Sequence, residues 1–163
     1  MNPASLWRYS FAQRIAPIYA ANPHVTAVIL GGSVARGHAD RYSDIELGVF
    51  WGKPPTDKDR QTAADAFPGD LIRLYPYDAV EEVWSDDFIL GRAHPDQPRS
   101  GVLVEVVHYT TDTLLRTFDA VLKDYNPDPL KQNLIAGVVD SIPLYQAELV
   151  GKLGPQTIQK VLP

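Results

Sequence analysis

Two short runs rich in Val and Ile constrain this chain most. Val25–Leu30 ends in Gly31-Gly32-Ser33, and a second run opens at Asp44-Ile45-Glu46 and ends near Trp51. Each is short, apolar and bounded by Gly or polar residues, a pattern that predicts buried strands. Residues two apart on a strand share a face. Asp44 and Glu46 therefore project together, with Ile45 and Leu47 on the opposite side. Two ionised carboxylates 4 Å apart repel by about 4 kcal/mol at an effective dielectric near 20. A bound cation relieves that repulsion, and clustered carboxylate oxygens suit a hard ion such as Mg²⁺.

The Gly31-Gly32-Ser33 turn supplies a complementary half. Glycines let a backbone approach a ligand closely, and Ser33 is the predicted N-cap of a short helix starting at Val34. A helix start after a glycine turn offers N–H groups to an anion, typically phosphate. A lone Gly-Gly-Ser is ordinarily a turn, and a lone Asp-Ile-Glu is ordinarily a solvated edge. In this order, each beside a predicted strand, they form the equipment for a magnesium nucleotide.

The 163 residues fit one domain. At 45% hydrophobic and 21% charged, the composition is that of an ordinary globular protein. Without cysteine, disulfides and thiolate metal sites are excluded. No apolar run approaches a membrane span and no signal-peptide pattern opens the chain, so the cytoplasm is the expected location. A net charge of −5 disfavours a broad nucleic-acid footprint and suits a cationic small-molecule acceptor.

Along the chain, Ala4 to Ala20 reads as an amphipathic helix with Trp7, Phe11, Ile15 and Ile18 inward, and Pro17 should kink or shorten it. Arg36 either reaches a phosphate oxygen or is a surface residue at a helix end. Thr56 caps a helix to about Phe67. Leu71 to Tyr75 is a candidate strand. Glu81-Glu82 and Asp86-Asp87 flank Trp84 in an expected loop, which either receives a cationic sugar or is simply solvated. Phe88-Ile89-Leu90 reads as a strand and His94–Pro98 as the loop after it. Val102–Tyr109 is an apolar strand with Glu105 in its middle. A charge there is costly unless it is paired, metal-bound or on a solvated face. Thr111 or Asp112 caps a helix to about Lys123, with Leu114, Leu115, Phe118 and Leu122 inward. Pro129 opens another helix that ends near Asp140.

Gly32-Ser33, a spacer and Asp44-Ile45-Glu46 together resemble the signature of the DNA polymerase β-type nucleotidyltransferase superfamily. Tyr42-Ser43-Asp44-Ile45-Glu46 is most similar to kanamycin-type aminoglycoside nucleotidyltransferases, which carry Glu where Asp is commoner. Ser141-Ile142-Pro143-Leu144-Tyr145 resembles a segment of the same proteins. The likeness spans Leu30 to about Leu153 and is specific around Gly32–Glu46.

The resemblance implies an α+β nucleotidyltransferase fold, with a mixed, largely antiparallel sheet and helices packed mainly on one face. It assigns residues 1–145 to the nucleotidyltransferase domain and 146–163 to a C-terminal helical segment, the start of a helical domain. Asp44, Glu46 and Glu105 become the catalytic carboxylates and the ligands of a pair of Mg²⁺ ions. Gly31, Gly32, Ser33 and Arg36 become the nucleotide-binding residues. The implied reaction moves a nucleoside monophosphate from ATP or another triphosphate to a hydroxyl of a small acceptor. An aminoglycoside-like acceptor would make this an antibiotic-resistance activity. The alternative is a minimal, antitoxin-like interaction module acting through a helical partner. Such relatives continue into a helical domain that supplies acceptor contacts and a general base. With the sequence ending at Pro163, the expectation is either a fragment or a minimal protein completed by a homodimer mate or a helical partner. Slow transfer by these residues alone follows from the same expectation.

Overall fold

A computed structural model describes residues 1–91 and 101–146 of the chain. The apolar runs become the strands β1 (Val25–Leu30), β2 (Ile45–Trp51), β3 (Asp70–Leu74), β4 (Trp84–Leu90), β5 (Val102–Thr110) and β6 (Ile142–Gln146). They form one six-stranded sheet in the order β3-β4-β5-β2-β1-β6. β2 and β5 run parallel, and the other neighbouring pairs run antiparallel. The mixed, largely antiparallel sheet is the one the sequence led us to expect.

The helices are α1 (Pro3–Ala20), α2 (Gly32–Ala35), α3 (Asp57–Ala66), α4 (Thr111–Leu122) and α5 (Pro129–Val139). Their starts follow from local chemistry. Asn2 caps α1 by accepting from the Ser5 N–H, and Thr56 with Asp59 forms a reciprocal capping box on α3. Asp128 caps α5 just before Pro129, whose missing N–H costs nothing in a first turn. α1 continues through Pro17 to Ala20, because buried Ile15, Ala16 and Tyr19 hold its last turns against the sheet. Burying one such large apolar side chain is worth about 1.5–3 kcal/mol, comparable to the roughly 3 kcal/mol that an internal proline costs.

The larger core lies on one face of the sheet. There Val28, Leu30, Ile45, Leu47, Val49, Val104 and Val106 meet α1 and α3. On the other face, Ala27, Ile29 and Phe50 meet Leu114 and Phe118 of α4 and Ile135 of α5. This smaller cover leaves Glu46 exposed and Glu105 half-buried. Among the described residues, no helix is long and apolar enough to cross a membrane.

Three local expectations need correction. Asp86 and Asp87 sit in β4 rather than a loop, because that strand begins at Trp84 and pairs with β5 along its whole length. The cap of α4 is Thr110, whose hydroxyl accepts from the Thr113 N–H. Leu115 faces solvent, at 42% exposed, because the buried stripe of α4 runs through Thr113, Leu114, Thr117 and Phe118. The His94–Pro98 loop lies outside the described residues, as does the expected C-terminal helical segment beyond Gln146.

Candidate functional site

The turn after β1 approaches β2 closely. The Gly31 N–H donates to the Glu46 carbonyl at 2.9 Å. Gly31, not Ser33, is the cap residue of α2, and no side chain caps this helix. Ser33 therefore lies inside the single helical turn, because the chain starts to coil as soon as it leaves the sheet. Gly32 has φ +63°, and a Cβ there would overlap Oε1 of Glu46. Only glycine fits that left-handed position beside the carboxylate. The first N–H groups of the turn have no partners within the helix.

Glu46 stands directly beside Glu105 in the parallel register of β2 and β5. Asp44 immediately precedes β2. One strand further, Asp87 of β4 lies opposite Glu105 in the antiparallel register. Strand alternation turns Asp87, Glu105 and Glu46 to the same face. On sequence alone Asp87 reads as part of a loop. The sequence hides its strand position, because Phe88-Ile89-Leu90 is a continuous apolar run and the core-face position before Phe88 is the charged Asp86.

Electrostatics bind these residues into one group. Partial dehydration raises the pKa of Glu46 and the charge of Asp44 adds to the rise, while Arg36 opposes both. Dehydration also raises Glu105, followed by the charges of Asp87, Glu46, Asp44 and Glu81. Arg36, at the C-cap of α2, is thus in electrostatic reach of Glu46 while remaining exposed. Among the described residues, no three His, Asp or Glu side chains converge as an ion cage would require. Instead, Glu46 folds over Gly32. The donor set still fits a hard cation. It offers carboxylate oxygens only, and their crowding favours a bound positive charge.

The connection that delivers Asp44 is held from α1, through residues that the sequence reading passed over. Asn2 Nδ2 donates to the Ala39 carbonyl at 2.8 Å, and the hydroxyl of Ser5 accepts from the Ala39 N–H at 3.0 Å. Arg8 Nε donates to the Ser43 carbonyl at 3.0 Å, one residue before Asp44. Ser5 and Arg8 are fully buried. His38 lies exposed on this connection, with its backbone N–H on the Ser33 carbonyl at 2.9 Å.

A cleft of about 410 Å³ opens from Gly31, Gly32 and Glu46 toward α4 and α5. Its apolar part includes Phe50 and Tyr109, whose rings stack with centroids 5.8 Å apart. Polar groups at its edge include Glu81, Asn133 and Lys131, and the last is ion-paired to Asp128 at 2.8 Å. Burial pushes the Tyr109 hydroxyl up to about 12, and nearby Glu81 and Glu105 add to that. Pockets of this order commonly hold small organic ligands.

A family model described as a nucleotidyltransferase domain matches residues 13–95. No curated protein matches the chain in sequence. Among solved structures, the poly(U) polymerase Cid1 with MgGTP bound aligns with TM-score 0.51 and 11% identity, over 74% of this chain and 38% of that one. A cytoplasmic RNA terminal U-transferase aligns with TM-score 0.44 and 13% identity, over 77% and 34%. The chain thus spans little more than a third of the length of these solved proteins, and at such identities the likeness concerns the fold.

Proposed function

The chain belongs to the nucleotidyltransferase-domain family, and from that premise we propose that it transfers a nucleoside monophosphate from ATP or another triphosphate, with Mg²⁺, to a hydroxyl of a small cationic acceptor. The observation that carries this reading is the register pairing of Glu46 with Glu105, with Asp44 at the head of the same strand and Gly32 packed on Glu46.

Asp44, Glu46 and Glu105 would hold the Mg²⁺ ions. Those ions, when bound, supply charge neutralisation of the triphosphate and a more acidic acceptor hydroxyl. Gly32 and Ser33 would bind the outer phosphates through backbone N–H groups, with Gly31, whose own N–H is held by the Glu46 carbonyl, shaping the turn and Arg36 adding positive charge. The cleft beside Phe50 and Tyr109 would take the nucleoside, and its volume and stacked rings support that reading. In the reaction the acceptor oxygen bonds to the α-phosphorus, its proton leaves, and pyrophosphate departs. Asp87 and Glu81 act on Glu105 electrostatically and are not assigned to the cations. Their surplus negative charge favours an acceptor bearing amines, of the aminoglycoside kind, over a nucleic-acid strand. That reading makes the activity one of antibiotic resistance, carried out in the cytoplasm where triphosphates are plentiful.

An interaction module would instead expose an apolar face on α5. Ile135 is buried there and Leu134 and Val138 pack on the smaller core, while Leu130 and Val139 of the same helix stay exposed, so α5 buries only part of its apolar surface inside the domain.

Incubation of the chain with labelled ATP, Mg²⁺ and separate panels of aminoglycosides and RNA oligomers, followed by mass analysis, tests the proposal. A nucleotidylated aminoglycoside is the expected product, at a low rate if a helical partner is needed. Extension of RNA alone would replace the acceptor assignment. Absence of Mg·ATP binding by calorimetry would overturn the enzyme reading.

A further inference from the structure

Behind the carboxylate row, on the core face of the same strands, four polar side chains make an unbroken buried chain. Trp51 Nε1 donates to His108 Nδ1 at 3.1 Å. His108 Nε2 lies 2.8 Å from Asp86 Oδ2. Asp86 Oδ1 accepts from Arg60 at 2.5 Å, and Arg60 also donates to the Tyr75 carbonyl at 2.9 Å. An indole N–H only donates, so Nδ1 of His108 must accept and Nε2 must carry the proton toward Asp86. None of the four residues exceeds 2% exposure. The chain runs from β2 through β5 and β4 to α3, and those three strands carry Glu46, Glu105 and Asp87 on their other face.

Stability alone does not explain it. Well-packed apolar residues of similar volume serve a core as well as a buried charge network, or better. Register does explain it. The core faces of β2 (Ile45, Leu47, Val49) and β5 (Val102, Val104, Val106) are made of near-equivalent aliphatic residues. A slip of two residues keeps every one of them facing the core, so the hydrophobic pattern fixes the face but not the alignment. The same slip would carry Glu105 about 7 Å along the strand away from Glu46. The Trp51–His108–Asp86 contacts are made in one alignment only, and any other leaves their buried donors and acceptors without partners.

We propose that Arg60, Asp86, His108 and Trp51 are positioning residues that lock β4, β5 and β2 in the alignment setting Asp87, Glu105 and Glu46 side by side. The functional consequence rests on the reading of that row as the cation and triphosphate site. The alignment itself is measurable without any ligand.

The test is an all-apolar variant, Arg60→Met, Asp86→Leu, His108→Leu and Trp51→Phe, studied by amide hydrogen exchange without ligand and by calorimetry with ATP, with and without Mg²⁺. The variant is expected to remain folded, with its melting temperature not lowered. Exchange at the amides of Glu46, Asp87 and Glu105 should quicken by about tenfold or more while β1 and β6 hold. The Mg²⁺-dependent part of ATP affinity should fall about 10–100-fold, as when groups supporting metal ligands are removed. His108→Gln keeps one donor and one acceptor and should restore most of both readouts. Should the all-apolar variant fail to fold, His108→Leu alone carries the same exchange criterion. Unchanged exchange at the three carboxylate positions overturns the proposal. A wild-type chain that binds no Mg·ATP overturns the functional reading instead, and the exchange result still decides the alignment.

Discussion

Asp86 and Asp87 are adjacent in sequence and identical in chemistry, yet they live on opposite faces of β4. Asp86 is 1% exposed, with one oxygen on Arg60 and the other on His108. Asp87 faces the open row opposite Glu105 and acts on it as the strongest neighbouring charge. The core face tolerates a carboxylate only by pairing it fully. The site face gathers carboxylates, and Arg36 offsets their repulsion only at Glu46. Crowded carboxylates on one face fit the proposed cation site, and the paired carboxylate on the other fits the proposed positioning role.

The largest effect should come from breaking the paired side. Asp86→Ala leaves the Arg60 guanidinium buried, with Asp57 at the surface as its remaining ionic partner. Removing one member of a buried pair typically costs about 3–5 kcal/mol. Urea unfolding should show a loss of that size, and a loss under about 1 kcal/mol would mean that water or Asp57 compensates.

The next effect removes charge from the site side. Asp44→Asn with Glu46→Gln should weaken Mg²⁺-dependent ATP binding by more than the roughly 10–100-fold that loss of a supporting group costs. The same variant should be more stable than the wild type without ligand at neutral pH. The pKa values of Glu46 and Glu105 are raised above the ordinary glutamate value of 4.5. Between the unfolded and folded values the native state holds more protons than the unfolded one, so stability falls as pH rises through that window. This contribution vanishes below the unfolded value. It is opposite in sign to that of Asp40, Asp59 and Asp128, whose pKa values are lowered and whose stabilisation is lost as pH falls. Thermal melts from pH 4 to 8 (an approximate range spanning the glutamate values) should show the wild-type decline flattened in the double variant. A parallel decline in both proteins would remove Glu46 from the coupled group.

The site's central half was legible because its signals are local. The β1 turn, the Asp44-Ile45-Glu46 alternation and the lone charge in β5 each lie within a few residues, and the sheet brings them together. The fold's mixed sheet followed from the family resemblance, because no local pattern states which strands pair. What escaped depends on distant partners. The fully buried stripe of α1 runs through Ser5, Arg8, Ala12, Ile15 and Tyr19, with the expected Trp7, Phe11 and Ile18 half-buried against the same core. Ser5 and Arg8 are buried because they bind Ala39 and Ser43, which lie 34 and 35 residues further on. No periodicity within the helix announces that. The Ser33 cap was misplaced because the coil begins at Gly32, driven by its close approach to β2.

The smallest effect belongs to the neighbour of the first residue. Asp87→Asn keeps the shape of the side chain and removes a charge that no buried partner needs. Surface-type substitutions of this kind usually stay within about 0.5 kcal/mol, so stability should be unchanged or slightly raised. The informative readout is Glu105. Dehydration is the first cause of its raised pKa and Asp87 the second, ahead of Glu46, Asp44 and Glu81. Removing Asp87 should bring the Glu105 carboxyl partway back toward its ordinary value, as seen by carbon NMR titration of the side-chain carboxyl. Glu46 should move less, since Asp44 rather than Asp87 is the charge that raises it. If Glu105 does not move, Asp87 is electrostatically outside the row despite its register. If Asp87→Asn destabilises the protein as strongly as Asp86→Ala, the two faces of β4 do not differ in the way their surroundings require.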